Sequence, residues 1–319
     1  MKKKILVTRN LLKGNEDRIK KIFKVNLNKE DKIYSQKEII DISKDCDGIL
    51  CIGGNKFDAD ILDKLSDKVK IIANYAVGYN NIDIDAATKK GIVVTNTPEV
   101  LTDSTADISI LLLLGASRRA YEGRKFVEKQ NWAWSPDFLL GKQMSNSKLG
   151  ILGMGRIGRA VAERARGFGM EVHYHNRSRL SPTLEKGAIY HDNINSLFEN
   201  SEFLSINCPA TAETTHIINE ESLKFFPDGA VIANTARGNI IKDEAMIKAL
   251  KSGKIFALGL DVYNGEPKIN SEYLKLNNLF LLPHLGSATT KTRIDMGDRA
   301  IDNLQAFFSN KKPKDQINN

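Results

Sequence analysis

The stretch GILGMGRIG, Gly150–Gly158, leaves this chain few folds to choose from. Gly153, Gly155 and Gly158 keep the spacing G-x-G-x-x-G, after the apolar run LGIL and before RAVAERA, which has helical periodicity. A turn of this kind joins a buried strand to a helix. Gly153 permits the tight turn, Gly155 lets a pyrophosphate approach the backbone, and Gly158 lets the helix lie close on the strand. Met154, Arg156 and Ile157 complete it. The helix start offers unpaired N–H groups and a positive dipole end to phosphate. The expected ligand is a dinucleotide.

Around this turn, apolar runs alternate with amphipathic charged stretches. KILVTR, GILCIGG, KIIANYA and GIVVTN read as buried strands in the front third, with DADILDKLSDKV and DIDAATKKG as helices between them. From Lys148 a second series begins: KLGILGMG, EVHYHNR, EFLSINCP, AVIANTARG, IFALGLDV and LFLLPHLGS. KDEAMIKALKSG is a helix closed by a glycine, and TTKTRIDMGDRAIDNLQAFFSN is a last amphipathic helix. Strand and helix in alternation imply α/β architecture with doubly wound parallel sheets. At 319 residues, two domains sharing a cleft are expected. Pro98 punctuates the chain. Asp103 or Ser104 is expected to cap one long helix, apolar then basic, leading into the second domain. AWSPDFLLGKQMSNS reads as a wrapping loop, and the polar tail KKPKDQINN is expected to fray.

Composition excludes several classes. With 41% hydrophobic and 27% charged residues the chain is not disordered. The net charge of +8 comes from scattered Lys and Arg without an aromatic-interleaved stripe, so no nucleic-acid partner is expected. Cys46, Cys51 and Cys208 form no Cys-x-x-Cys pair and no even framework. They read as buried thiols of a reducing compartment, and the expected location is cytoplasmic. The longest greasy run, ISILLLLGA, is far below the roughly 18 residues of a membrane span. No metal site is expected.

About 20 residues after such a glycine turn an acid usually holds a ribose hydroxyl. Here the strand VHYHN ends instead on Asn176, followed by Arg177, Ser178 and Arg179. Asn176 keeps hydrogen bonding without the charge that repels a 2′-phosphate, and the arginines and serine supply donors to one. NADP(H) is therefore expected over NAD(H).

Three further strand ends carry polar residues where a buried strand should simply stop: Arg237 in NTARG, Glu266 in DVYNGEP and His284 in LPHLGS. In doubly wound sheets ligands sit beyond the carboxyl ends of strands. A guanidinium can grip a carboxylate, and an imidazole beside a carboxylate can exchange a proton.

These motifs, with NYAVGYNNIDIDAATKKGIVVTNTPEVLTDSTADISILLLL, CPATAETTHIIN and GAVIANTARGNIIKDEAMIKALKSGKI, resemble the D-isomer-specific 2-hydroxyacid dehydrogenases over nearly the whole chain. Within that family the sequence is most similar to the glyoxylate/hydroxypyruvate reductases. The resemblance implies Arg237, Glu266 and His284 as catalytic residues, and Val77 and Gly78 as backbone donors to the substrate carboxylate. It implies Thr105, Cys208, Pro209, Thr214, Thr235, Ala236, Asp261 and Gly286 around the cofactor. It also implies a Rossmann domain, 99–287, inserted in a flavodoxin-like substrate domain made of 1–98 and 288–319. Leu50, Cys51 and Gly54 are candidates for the wall that sets side-chain tolerance. A homodimer through the nucleotide domains is implied, with Trp132 and Trp134 in its loop. Competing expectations are an NAD-linked relative, such as a D-lactate or phosphoglycerate dehydrogenase, and a non-catalytic dinucleotide sensor on the same fold.

Overall fold

The computed structural model describes residues 2–318. The chain divides into two units, Met1–Leu101 with Ala288–Asn319, and Thr102–Ser287.

The first unit carries β1 (Lys4–Val7), α1 (Lys13–Ile22), β2 (Lys24–Leu27), α2 (Gln36–Ser43), β3 (Gly48–Cys51), α3 (Ala59–Lys64), β4 (Ile71–Asn74), α4 (Ile84–Lys89) and β5 (Val93–Thr95). Its five strands are parallel, in the order β2-β1-β3-β4-β5. β3 and β4 are buried along their whole length, which is why they read as continuous apolar runs. Acidic or hydroxyl side chains start α2, α3 and α4: Ser35 and Glu38 form a reciprocal capping box at α2, and Asp58 and Asp83 cap α3 and α4.

The second unit runs through α5 (Thr102–Ser117), α6 (Ala120–Glu128), β6 (Lys148–Leu152), α7 (Arg156–Gly167), β7 (Glu171–His175), α8 (Pro182–Glu185), β8 (Ile189–Tyr190), α9 (Ile194–Glu199), β9 (Phe203–Ile206), β10 (Ala230–Asn234), α10 (Asp243–Ser252), β11 (Ile255–Leu260) and β12 (Leu279–Leu281). The seven parallel strands lie in the order β12-β11-β10-β9-β6-β7-β8. The order reverses between β6 and β9, the switch point at which doubly wound sheets bind nucleotides. One face packs Leu204, Ile232 and Leu258 against Leu197 of α9 and Met246 of α10. The other packs Ile151, Val231 and Ala257 against Leu112 and Leu113 of α5 and Val161 of α7. Among the described residues no helix is long and apolar enough to cross a membrane.

The chain re-enters the first unit as α11 (Thr290–Phe308), capped by Thr289. Ala300, Ile301 and Leu304 of α11 pack on Ile5, Leu50, Ile71 and Ala73, covering one face of the five-stranded sheet.

Two sequence expectations need correction. The long helix after Pro98 is two helices. Thr102 is already helical, so Asp103 and Ser104 lie in the first turn and do not cap it. The helix stops because the Lys142 N–H takes the Ser117 carbonyl at 2.8 Å. Arg119 then turns in a left-handed conformation, φ 53°, with its guanidinium clamped by Glu122 at 2.7 and 2.9 Å. The tail does not fray over its described residues, which end at Asn318. Ile317 N–H donates to Val94 O at 2.8 Å, and the Asn318 side chain bridges Val94 N and Ile92 O. Asp315, 8% exposed, meets Arg299 at 2.7 and 2.8 Å and Asn303 at 3.0 Å. A charged composition therefore hides a segment in which Asp315, Ile317 and Asn318 each meet a specific partner.

Candidate active site

The glycine turn leaves β6 and enters α7. Gly153 has φ 93°, and a Cβ there would stand 2.6 Å from the Cys208 backbone, beyond β9. The two loops at the switch point thus touch main chain to main chain. A Cβ at Gly158 would be 2.4 Å from the Gly153 carbonyl oxygen, so α7 lies against the turn itself. Gly155 precedes α7 with no side-chain cap, and the start of this 12-residue helix points its dipole's positive end at the turn. These features fit a bound pyrophosphate.

Asn176, just past β7, accepts the Met154 N–H at 2.7 Å and so ties the next strand end to the turn. Arg177 and Ser178 are exposed. Arg179 has a different neighbour: Nε and Nη2 pair with Glu185 at 2.8 and 3.2 Å, and Tyr174 donates its hydroxyl to the same carboxylate at 2.6 Å. Glu185 is thereby held below the ordinary carboxylate value, by Arg179 first and Tyr174 second. Of the two arginines, Arg177 alone has no ion-pair partner among the described residues. An open hollow of about 600 Å³ adjoins this strand end, lined by His175, Asp192, Asn193, Ile194 and Ile217.

The remaining nucleotide-loop candidates serve visible structural bonds. Thr214 donates to Pro209 O at 2.7 Å, Thr235 shares a hydrogen with Ser109 at 2.8 Å, and Thr105 donates to Gly286 O at 3.1 Å. Cys208 is buried, and burial pushes its thiol up to about 11. Asp261 is buried after β11 and accepts the N–H groups of Leu285 and Gly286 at 2.6 and 2.8 Å. Burial lifts its carboxyl above the ordinary value in spite of those two donors.

Arg237, Glu266 and His284 follow β10, β11 and β12. Asn234, fully buried, shapes the first turn: its Oδ1 accepts the Ala236 N–H at 2.9 Å and its Nδ2 donates to Arg237 O at 2.8 Å. Arg237 Nη1 donates to Ala236 O at 2.7 Å. A Cβ at Gly238 would fall 1.9 Å from the Tyr263 carbonyl carbon, so this turn rests directly on the loop that carries Glu266. That loop contains a cis peptide between Glu266 and Pro267. Tyr263 stitches it down, its N–H donating to Glu266 Oε1 at 2.8 Å and its hydroxyl to Leu282 O at 2.7 Å. His284 sits in the left-handed region, φ 57°, uncommon for a side chain of this size. Its Nδ1 meets Glu266 Oε2 at 2.7 Å.

The electrostatics couple all three. Burial works to raise the Glu266 carboxyl, but the His284 ring, the Tyr263 N–H and the charge of Arg237 outweigh it and hold it below the ordinary value. Burial lowers the Arg237 guanidinium while the charge of Glu266 works against that. It stays protonated at any ordinary pH. The group can grip an anion, and a carboxylate orients an imidazole whose other nitrogen is left for proton exchange.

In the first unit, Val77 and Gly78 lie in the loop after β4. Leu50 and Cys51 are fully buried in β3, and Gly54 follows with φ 98°. Trp132 and Trp134, 54% and 84% exposed, lie in the loop after α6. Asn74, Asn234, Gly238, Tyr263 and Glu185 shape the site from outside its motif positions. A signal existed for the asparagines alone: each ends an apolar strand that needs no polar residue.

Fold and site define a two-unit α/β protein whose second unit is a Rossmann nucleotide-binding domain. Residues 110–286 match the family model of the D-isomer specific 2-hydroxyacid dehydrogenase, NAD binding domain. The chain is 41% identical to a glyoxylate reductase of Thermococcus litoralis, over 100% of this chain and 97% of that one. Its fold is similar to the crystal structure of a glyoxylate reductase from Paecilomyes thermophila, TM-score 0.90 at 34% identity, covering 99% of this chain and 98% of that one. It is also similar to an NADPH-dependent glyoxylate/hydroxypyruvate reductase from Sinorhizobium meliloti in complex with NADP and malonate, TM-score 0.88 at 30% identity, covering 99% and 97%. The chain belongs to the D-isomer specific 2-hydroxyacid dehydrogenase family.

Proposed function

We propose that this protein reduces a small 2-oxo acid, glyoxylate or hydroxypyruvate, to the D-2-hydroxy acid with NADPH. The observation that carries the reading is the His284–Glu266 pair at 2.7 Å with the Arg237 charge acting on it. The cofactor supplies hydride to carbon 2. Arg237 binds the substrate and polarises its carbonyl, and the N–H groups of Val77 and Gly78 receive the carboxylate. His284 gives the proton to the carbonyl oxygen, and Glu266 holds the ring in orientation through Nδ1.

The cofactor would be held by Gly153–Gly158 and the start of α7, by Thr105, Cys208, Pro209, Thr214, Thr235, Ala236 and Gly286, and by Asp261 at its nicotinamide carboxamide. Asn176 in place of an acid, with exposed Arg177 and Ser178, favours the 2′-phosphate. The relative from Sinorhizobium meliloti, solved with NADP, supports that preference. The protein works as a cytoplasmic homodimer through α5, α6 and the following loop, where Tyr121, Val127, Trp132, Trp134 and Leu140 expose apolar surface.

The test is a side-by-side assay of glyoxylate, hydroxypyruvate and pyruvate, each with NADPH and with NADH. Oxidation of NADPH by the first two is expected. No turnover with any pair would overturn the proposal.

A further inference from the structure

Beyond β4 the backbone makes an arrangement that the family motif alone does not describe. Three consecutive carbonyl oxygens are each held by one donor: Ala76 O by the Thr97 N–H at 2.9 Å, Val77 O by Asn96 Nδ2 at 2.8 Å, and Gly78 O by Asn74 Nδ2 at 2.9 Å. In a trans peptide the C=O and the following N–H point in opposite directions. Fixing these three oxygens therefore turns the N–H groups of Val77, Gly78 and Tyr79 away from Thr97, Asn96 and Asn74. None of the three N–H groups meets an acceptor among the described residues.

The two asparagines are themselves immobilised. Asn74 is 1% exposed, and its Oδ1 accepts from Cys51 Sγ at 3.3 Å and Asn81 Nδ2 at 3.4 Å. The main chain of Asn96 is pinned on both sides: its N–H donates to Asp315 O at 3.2 Å, and its carbonyl accepts from Asn303 Nδ2 at 3.2 Å.

We propose that Asn74 and Asn96 are positioning residues that, together with the Thr97 N–H, lock three successive peptide planes, so that the N–H groups of Val77, Gly78 and Tyr79 form one preset row of donors for the substrate carboxylate. The proposal rests on the 2-oxo acid reading and adds to it the third donor and the two side chains that set all but one of the planes. A row fixed before binding costs no reorganisation when the anion arrives. Without the Asn96 donor, the Val77–Gly78 peptide is free to rotate and to present its oxygen, which repels a carboxylate.

The full-length protein carrying Asn96→Leu, close in size and without a donor, is compared with wild type, and Asn74→Ala serves as the second variant. NADPH affinity is read by fluorescence titration, glyoxylate reduction by steady-state kinetics, and anion binding by inhibition with oxalate. We expect NADPH affinity to stay at the wild-type level. KM for glyoxylate and the inhibition constant of oxalate should rise together by about tenfold or more, with kcat changed far less, the pattern of lost uniform binding. Unchanged KM and oxalate inhibition would overturn the proposal. So would a fall in kcat and NADPH affinity together, which marks general damage. If wild-type protein neither reduces glyoxylate nor binds oxalate, the functional reading fails first and this one with it.

Discussion

The Nδ1 atom of His284 stands 2.7 Å from Oε2 of Glu266, while the other oxygen of that carboxylate takes the Tyr263 N–H at 2.8 Å. One loop thus fixes the carboxylate, and the carboxylate fixes the ring. With Nδ1 engaged, Nε2 is the nitrogen left to face a reacting oxygen. The left-handed backbone at His284 helps to hold that geometry.

Replacing the ring should therefore remove chemistry and spare nucleotide binding. His284→Ala is expected to lower kcat by about 100–10,000-fold, the usual span for a lost general acid. NADPH titration of the same variant should match wild type. Unchanged turnover would discard the assignment.

The strand end after β7 makes a graded forecast for the cofactor. Asn176→Asp can keep the Met154 N–H bond while restoring the charge that repels a 2′-phosphate, so with Arg177→Ala it should swing preference toward NADH. Charge-assisted hydrogen bonds contribute about 1.5–3 kcal/mol each, so a shift of at least about tenfold is expected. Arg179→Ala should shift the ratio less, because its guanidinium is already engaged by Glu185. An equal or larger effect at Arg179 would place the phosphate elsewhere.

The docked tail links stability to pH. Burial works to raise the Asp315 carboxyl, but Arg299 and Asn303 outweigh it and hold it below the ordinary value. A depressed carboxylate contributes stability that is fully present above the unfolded value, about 4, and is lost as pH falls through the folded one. Asp315→Asn should be less stable than wild type at pH 7, because it breaks a largely buried ion pair on one side. Denaturant midpoints of the two proteins should converge as the pH drops below about 4. A constant gap across that range would refute the linkage.

All three thiols should be silent in the native protein. Burial pushes Cys51 up to about 12 and Cys208 up to about 11, and raises Cys46 above its usual value. At pH 8 Cys208 stays almost wholly in the thiol form, and thiolate is the reactive form. A chromogenic disulfide reagent should count no fast thiol before unfolding and three after it.

The buried strands could be read from the chain because each is a short Ile- and Val-rich run with polar punctuation; KIIANYA and LGILGMG became β4 and β6 at those positions. Edge strands escaped notice. β2, KVNL, is partly exposed, and β8 has two residues, so neither shows the apolar run of a central strand. The break at Arg119 depends on a bond from Lys142, and the docking of the tail on partners at Val94 and Arg299; such contacts between distant positions leave no local pattern. The same holds in the site. The glycine spacing and the three polar strand ends were visible as motifs. The engagement of Arg179 by Glu185 was not, because a basic residue in a loop looks alike whether it is free or paired.

The first unit is assembled from two separated stretches of the polypeptide, and the second from one unbroken stretch between them. Vectorial synthesis normally lets the earliest residues fold first. Here β1 to β5 emerge before α11, so their apolar face stays bare until that helix has been made. The nucleotide-binding stretch, complete once Ser287 has appeared, is the part able to close while translation is still running.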